Sequence, residues 1–189
     1  MNSKVLEAFL IPNTDKEIDR IKKVIENVYA YKKANNCQLC AGCFEMQMRG
    51  INMTPRDVLT PADEIFKNDN WSFIKGGKKY KLSEDLKGDV SRILQKAGHN
   101  SRFYASVGWK GYNSGHVFNV INLNGNIYVI DCMHNKMVLL EDDDFYFVES
   151  DYRRSWLMRS DNAQLDKTKM KYNSEKYMIP WKDGDEKYL

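Results

Sequence analysis

Hydrophobic positions recur at helical spacing early in the chain and at strand spacing later. Ile18, Ile21, Ile25 and Val28, with Tyr29 on the same stripe, follow a Thr14-Asp15-Lys16-Glu17 capping box, and this pattern predicts a helix over residues 14–33. A second helix is expected over residues 36–49. Asn35 or Asn36 can cap it, Gln38 can reciprocate, Ala41, Phe44 and Met48 share one face, and Gly50 stops it. Thr54-Pro55 and Thr60-Pro61 each place proline at the first position of a further short helix. Ser83-Glu84-Asp85-Leu86 opens a clearer one, which turns Leu86, Val90, Ile93, Leu94 and Ala97 inward and ends at Gly98.

Beyond Gly98 the period changes from helical to alternating. Residues 103–109, 116–123, 126–132 and 137–140 read as strands, with 145–148 and 155–158 as further candidates, and Asn124-Gly125 is a strong two-residue hairpin signal. Helices followed by an antiparallel sheet make an α+β architecture, with N-terminal helices packed on a C-terminal sheet over residues 102–158. Residues 160–189 turn polar and Lys-rich and are expected to form a loosely packed extension to a domain spanning 1–159. The chain has no internal repeat, Gly-rich phosphate loop or low-complexity tract.

Composition narrows the function classes. A chain of 189 residues can bury one substantial core, and 12% aromatic content supplies large apolar surfaces although hydrophobic residues reach only 42%. With 29 basic against 26 acidic side chains the charge is too balanced for an electrostatic nucleic-acid binder. The first apolar stretch, residues 5–11, is interrupted by Glu7 and closed by Pro12, so neither a signal peptide nor a membrane span is expected and no membrane partner follows. Of four cysteines, Cys37, Cys40 and Cys43 lie so close together that at most one disulfide could form among them. Reduced thiols, and action in a reducing cytosol, are the expectation.

The cysteine cluster is also the candidate chemistry. A thiol attacks as thiolate, and the first turn of a helix favours the anion through unpaired backbone N–H groups and the positive end of the helix dipole. Cys37 holds that position; Cys40 and Cys43 lie one and two turns deeper, where cysteine serves as a small hydrophobe. The same amides could receive the oxyanion of an attacked carbonyl. Three histidines could serve as base: His99, His116 and His134. If Asn124-Gly125 is a two-residue turn, Phe118 lies opposite Asp131, and His116 and Asp131 project from one face as diagonal neighbours roughly 7–8 Å apart in backbone. A carboxylate there can fix the imidazole's orientation while the other ring nitrogen faces the thiol. Cys132 and His134 fall on the opposite face, and His99, in a helix-exit loop, has no acid placed beside it.

Residues 36–40 (Asn-Cys-Gln-Leu-Cys) and 44–50 (Phe-Glu-Met-Gln-Met-Arg-Gly), then 115–120 (Gly-His-Val-Phe-Asn-Val) and 125–131 (Gly-Asn-Ile-Tyr-Val-Ile-Asp), resemble the papain-fold toxin domain, the Tox-PL type of bacterial and phage proteins. The resemblance implies a papain-like fold and a triad of Cys37 as nucleophile, His116 as base and Asp131 as orienting acid. It also implies a glutamine deamidase or a peptidase acting on a protein substrate. As a toxin such a protein would be delivered into a target cell or carried by a phage, and its producer would need an immunity protein covering the cleft. Members often carry Gln two residues after the acid; here that position is Met133, and Asn119 or Gln38 could supply the missing polar group. Asn36 and Gln38 flank the nucleophile as candidates for oxyanion or substrate contacts; Trp109, ahead of Lys110-Gly111, could wall the imidazole, although an aromatic residue at a strand end more often serves packing.

Two other readings stand beside the triad. Cys37, Cys40, Cys43, Cys132 and His134 are five soft ligands that could hold zinc or an iron–sulfur cluster. A continuing helix is a poor frame for such a site, so no metal and no cofactor are expected. Alternatively, a papain-like module could serve as a non-catalytic binding or structural part of a phage or secretion-associated protein. Asp142-Asp143-Asp144 reads as a solvated loop.

Overall fold

A computed structural model describes residues 14–30, 36–55 and 70–170. The end of the first expected helix, whatever follows Thr54-Pro55, the helix expected at Thr60-Pro61 and the tail beyond residue 170 lie outside the described residues. Among the described residues the longer helices are α1 (Thr14–Ala30), α2 (Cys37–Met48) and α3 (Leu86–Ala97), with a 3-10 turn at Asn70–Ser72 between the second and third. Among the described residues one strand, β1 (Lys79–Lys81), precedes α3, and five follow it: β2 (Arg102–Trp109), β3 (Gly115–Leu123), β4 (Asn126–Asp131), β5 (Lys136–Leu139) and β6 (Ser150–Arg159). They form one sheet in the order β1-β6-β2-β3-β4-β5, antiparallel at every pairing. The chain is therefore α+β, helices packed on an antiparallel sheet.

The sheet divides two cores. Alternation along β3 sends Val117, Ile121 and Leu123 to the face covered by α1 and α2, and Phe118 and Val120 to the face covered by α3. α1 buries Ile21, Ile25 and Val28 as its stripe predicts, whereas Tyr29, expected on that stripe, is 38% exposed. The Glu17 carboxylate reaches the loop after α3, where Oε1 accepts from Asn100 Nδ2 at 2.9 Å. α3 starts as expected, with Asp85 accepting from the Gly88 N–H at 3.0 Å, and stops at Gly98 in a left-handed conformation (φ 90°).

α2 is buried on almost every side, not only along Ala41, Phe44 and Met48. A helix apolar all round belongs in an interior. It lies between α1, the sheet and the segment at 71–73. Gly42 permits the last of these approaches: a Cβ there would stand 2.5 Å from the Trp71 carbonyl oxygen and from the Phe73 ring. The helix is anchored by Glu45, fully buried, whose carboxylate takes both Nε and Nη2 of Arg102 at 2.9 and 3.0 Å, Arg49 Nε at 2.8 Å and the Ser160 hydroxyl at 3.0 Å. Bidentate pairing with further donors is what a carboxylate needs at this depth.

Two further departures bear on the site. Residues 145–148 are a turn, not a strand, because Asp143 takes the N–H groups of Phe145, Tyr146 and Phe147 at 2.9–3.2 Å and so competes with any ladder. Asp143 is accordingly 1% exposed and not part of a solvated loop. Packing also runs past residue 160: Leu165 and Met170 belong to the core beneath α1 and α2. Among the described residues, no helix is long and apolar enough to cross a membrane.

Candidate active site

The hairpin register sets the site. Leu123 pairs with Asn126 and Asn119 with Ile130, so His116 and Asp131 are diagonal neighbours on the α3 face, as the Asn124-Gly125 turn requires. Their side chains meet: His116 Nε2 lies 2.7 Å from Asp131 Oδ2. Asp131 is 1% exposed and gathers three more donors, the Met133 N–H on Oδ1 at 2.9 Å, and the Tyr146 hydroxyl at 2.8 Å and His134 Nδ1 at 2.6 Å, both on Oδ2. Burial works to raise the Asp131 carboxyl, but the bonds and charge from His116, with those from His134 and Tyr146, hold it well below the usual carboxylate range. An ionised carboxylate only accepts, so His116 Nε2 and His134 Nδ1 both carry protons.

His134 corrects the expectation that it faces away. β4 ends at Asp131, and the turn at 132–135 brings the chain back so that His134 reaches the same carboxylate. A regular strand would have sent it to the other face. Cys132 does go there, into the core beneath α2. His99 also finds an acid that sequence reasoning did not place: its Nε2 is 3.6 Å from Glu17, while Nδ1 accepts from the Asn124 N–H at 3.0 Å. That pair sits at the hairpin tip, about 26 Å along β3 from His116.

His116 is caged by rings. Trp109, its diagonal neighbour across β2, stacks on it with centroids 6.2 Å apart and planes at 16°; Tyr146 (5.9 Å, 18°) and Phe118 (5.9 Å, 29°) close other sides. Trp109 thus stands over the imidazole. Burial, the largest influence, disfavours the imidazolium, yet the hydrogen bond to Asp131 and its charge, with nearby Cys37 adding to them, raise His116 from the ordinary 6.5 to about 9.

Cys37 is half-buried at the start of α2, and with Gln38 and His116 it lines a pocket of about 440 Å3. This pocket lies at the start of β3, where Ser106, Gly108 and Gly115 line it together with Arg154, and it takes in residues of both sheet faces. Gly115 cannot be larger, since a Cβ would stand 2.2 Å from the Val107 carbonyl oxygen. Asn36 precedes the helix, but its side chain makes no cap bond to the first-turn amides; Oδ1 accepts from Cys40 Sγ at 3.2 Å instead. Those amides are left unclaimed by the capping residue. Asn36 and Asn119 are not among the pocket's lining residues. Asn119 faces α2 between Tyr104 and Ile130, and both its polar side-chain atoms, like Asn36 Nδ2, are buried without a hydrogen-bond partner.

The remaining thiols are interior. Cys40, Cys43 and Cys132 are buried and reduced, and burial, with nearby Cys40 adding to it, pushes the Cys43 and Cys132 thiols well up. Among the described residues they form no ligand set. Within those residues, the group of three His, Cys, Asp or Glu ligand atoms close enough to share a cation is His116, Asp131 and His134. Sequence reasoning missed the parts of the site that depend on turns: His134, and Tyr146 delivered by Asp143. The Asp142-Asp143-Asp144 run ahead of aromatic residues was a signal for the second; nothing in the sequence signalled the first. No family model matches the chain, and no curated protein is significantly similar to it.

Proposed function

We propose that this protein is a cysteine-dependent amide hydrolase of papain-like arrangement, with Cys37 as nucleophile, His116 as acid and base, and Asp131 as the orienting carboxylate. One observation carries the reading: Cys37 and His116 line the same pocket while Asp131 occupies the imidazole's far nitrogen. With Nε2 committed to Asp131, Nδ1 is the nitrogen left for the thiol. The Cys37 thiolate adds to a carboxamide carbon, and the oxyanion is received by first-turn amides of α2 that the Asn36 side chain does not cap. The C–N bond breaks as His116 gives its proton to the departing nitrogen. Water, losing a proton to His116, then cleaves the thioester and releases the acid with the thiolate restored.

Loss of ammonia from a glutamine side chain and loss of an amine from a peptide bond share every one of these steps. Deamidation of a protein glutamine is preferred on the resemblance of residues 36–50 and 115–131 to the papain-fold toxin domain. The test is reactivity. Limiting iodoacetamide followed by peptide mass mapping should modify Cys37 well ahead of Cys40, Cys43 and Cys132, and His116→Ala should abolish that lead. Uniform slow labelling, or a lead that survives His116→Ala, would remove the catalytic reading in favour of a binding module.

A further inference from the structure

A Cys–His–Asp arrangement needs one imidazole on its carboxylate, yet two converge here on a single oxygen. His116 Nε2 and His134 Nδ1 stand 2.7 and 2.6 Å from Asp131 Oδ2, and the three ligand atoms lie within 4.8 Å of one another. We propose that His116, Asp131 and His134 form a binding site for a borderline divalent transition ion of the zinc class, and that occupancy of this site withdraws His116 from Cys37.

The donor set selects the ion. Two imidazoles and one carboxylate suit zinc, cobalt, nickel or copper, whereas magnesium and calcium take oxygen ligands. Metal–ligand distances near 2.0–2.1 Å place neighbouring ligand atoms about 3.3 Å apart in a tetrahedral site, so the nitrogen–oxygen separations must widen by about 0.6–0.7 Å to admit the ion, and with His116 walled by rings it is His134 that has to move. His134 can do so, because it sits on a four-residue turn and is 53% exposed. The same exposure gives the ion a path from solvent and leaves a coordination position for water. Around the ligands the supports are in place. The Met133 N–H fixes Oδ1, the Tyr146 hydroxyl donates to Oδ2, and Trp109, Phe118 and Tyr146 supply an apolar wall. Outer-shell hydrogen bonds and apolar surroundings of this sort orient metal ligands.

Binding of the ion releases the protons on His116 Nε2 and His134 Nδ1 to solvent and takes up His116 Nε2 and Asp131 Oδ2, the two atoms whose pairing orients the imidazole, so that the ring can no longer cycle between imidazole and imidazolium for Cys37. The consequence for Cys37 rests on the proposed hydrolase reading; the site itself does not. Calorimetric titration of the Cys37→Ser protein with zinc chloride separates the two. One zinc per chain is expected, with magnesium chloride giving no heat, and His134→Ala should weaken zinc at least about tenfold. Cobalt(II) in the same protein should absorb as a nitrogen and oxygen complex without a thiolate charge-transfer band. Zinc binding unchanged in His134→Ala, a thiolate band, or no binding overturns the site. In the wild type, zinc should slow iodoacetamide labelling of Cys37 and should do so much less in His134→Ala; equal slowing in both overturns the inhibitory role alone. Stoichiometric zinc on a chain whose Cys37 is unreactive would leave the metal site standing and the hydrolase reading fallen.

Discussion

At the scale of single residues, the buried pair His116 and Asp131 links charge to stability. His116 titrates near 9 in the folded protein against 6.5 ordinarily, so its contribution is complete below about 6.5 and lost as pH rises through 9. Asp131 is displaced downward, so its contribution holds above the ordinary 3.8 and is lost in acid. Urea unfolding across this range should show stability falling by on the order of 3 kcal/mol between pH 6.5 and 9, a slope that His116→Gln flattens. A wild-type curve level over that interval would contradict the shift. Tyr146→Phe removes one donor from the same buried carboxylate and should cost about 1.5–3 kcal/mol, the range for a hydrogen bond to a charged group. The check is the urea midpoint at pH 6, where both members of the pair are charged.

Among the elements, α2 carries the most consequence because it presents Cys37 and is held on all sides. Gly42→Ala would force a methyl against the backbone at Trp71, and overpacking of this kind costs about 1–3 kcal/mol. Thermal denaturation should register it as a lowered midpoint. Glu45→Ala strikes harder, since Arg102 keeps its charge with its side chain only 12% exposed and loses both bonds to the carboxylate. Removing one partner of a buried pair costs about 3–5 kcal/mol, so this variant is expected to unfold at markedly lower urea concentration. The turn after β5 works in the same way on the other side of the site: Asp143 holds three successive amides and thereby seats Tyr146 on Asp131.

For the whole molecule, the question is where the cooperative unit ends. Leu165 and Met170 are 8% and 0% exposed, and the Ser160 and Ala163 carbonyls take Arg49 Nη2. A chain terminated after Arg159 would lose two buried apolar side chains at roughly 1.5–3 kcal/mol each, together with partners of the Glu45 network. Such a truncation is expected to lose most of its stability, read as a collapse of the urea midpoint relative to a chain ending after residue 170 or later. Full retention of stability would show that the packing after β6 is dispensable.

Much of this was readable without coordinates, and for local reasons. Helix spacing in α1 and α3, alternation in β2 to β4 and the Asn124-Gly125 turn are properties of neighbouring residues, and a two-residue turn fixes register, which in turn made His116 and Asp131 neighbours. Tertiary structure alone decided what depends on chain reversal and burial. It brought His134 back onto Asp131 when β4 stopped, folded 145–148 into a turn around Asp143, buried α2 on almost every side and drew Leu165 and Met170 into the core. Periodicity reports which way a side chain leaves its own backbone. Which distant group waits for it is fixed only when the layers close.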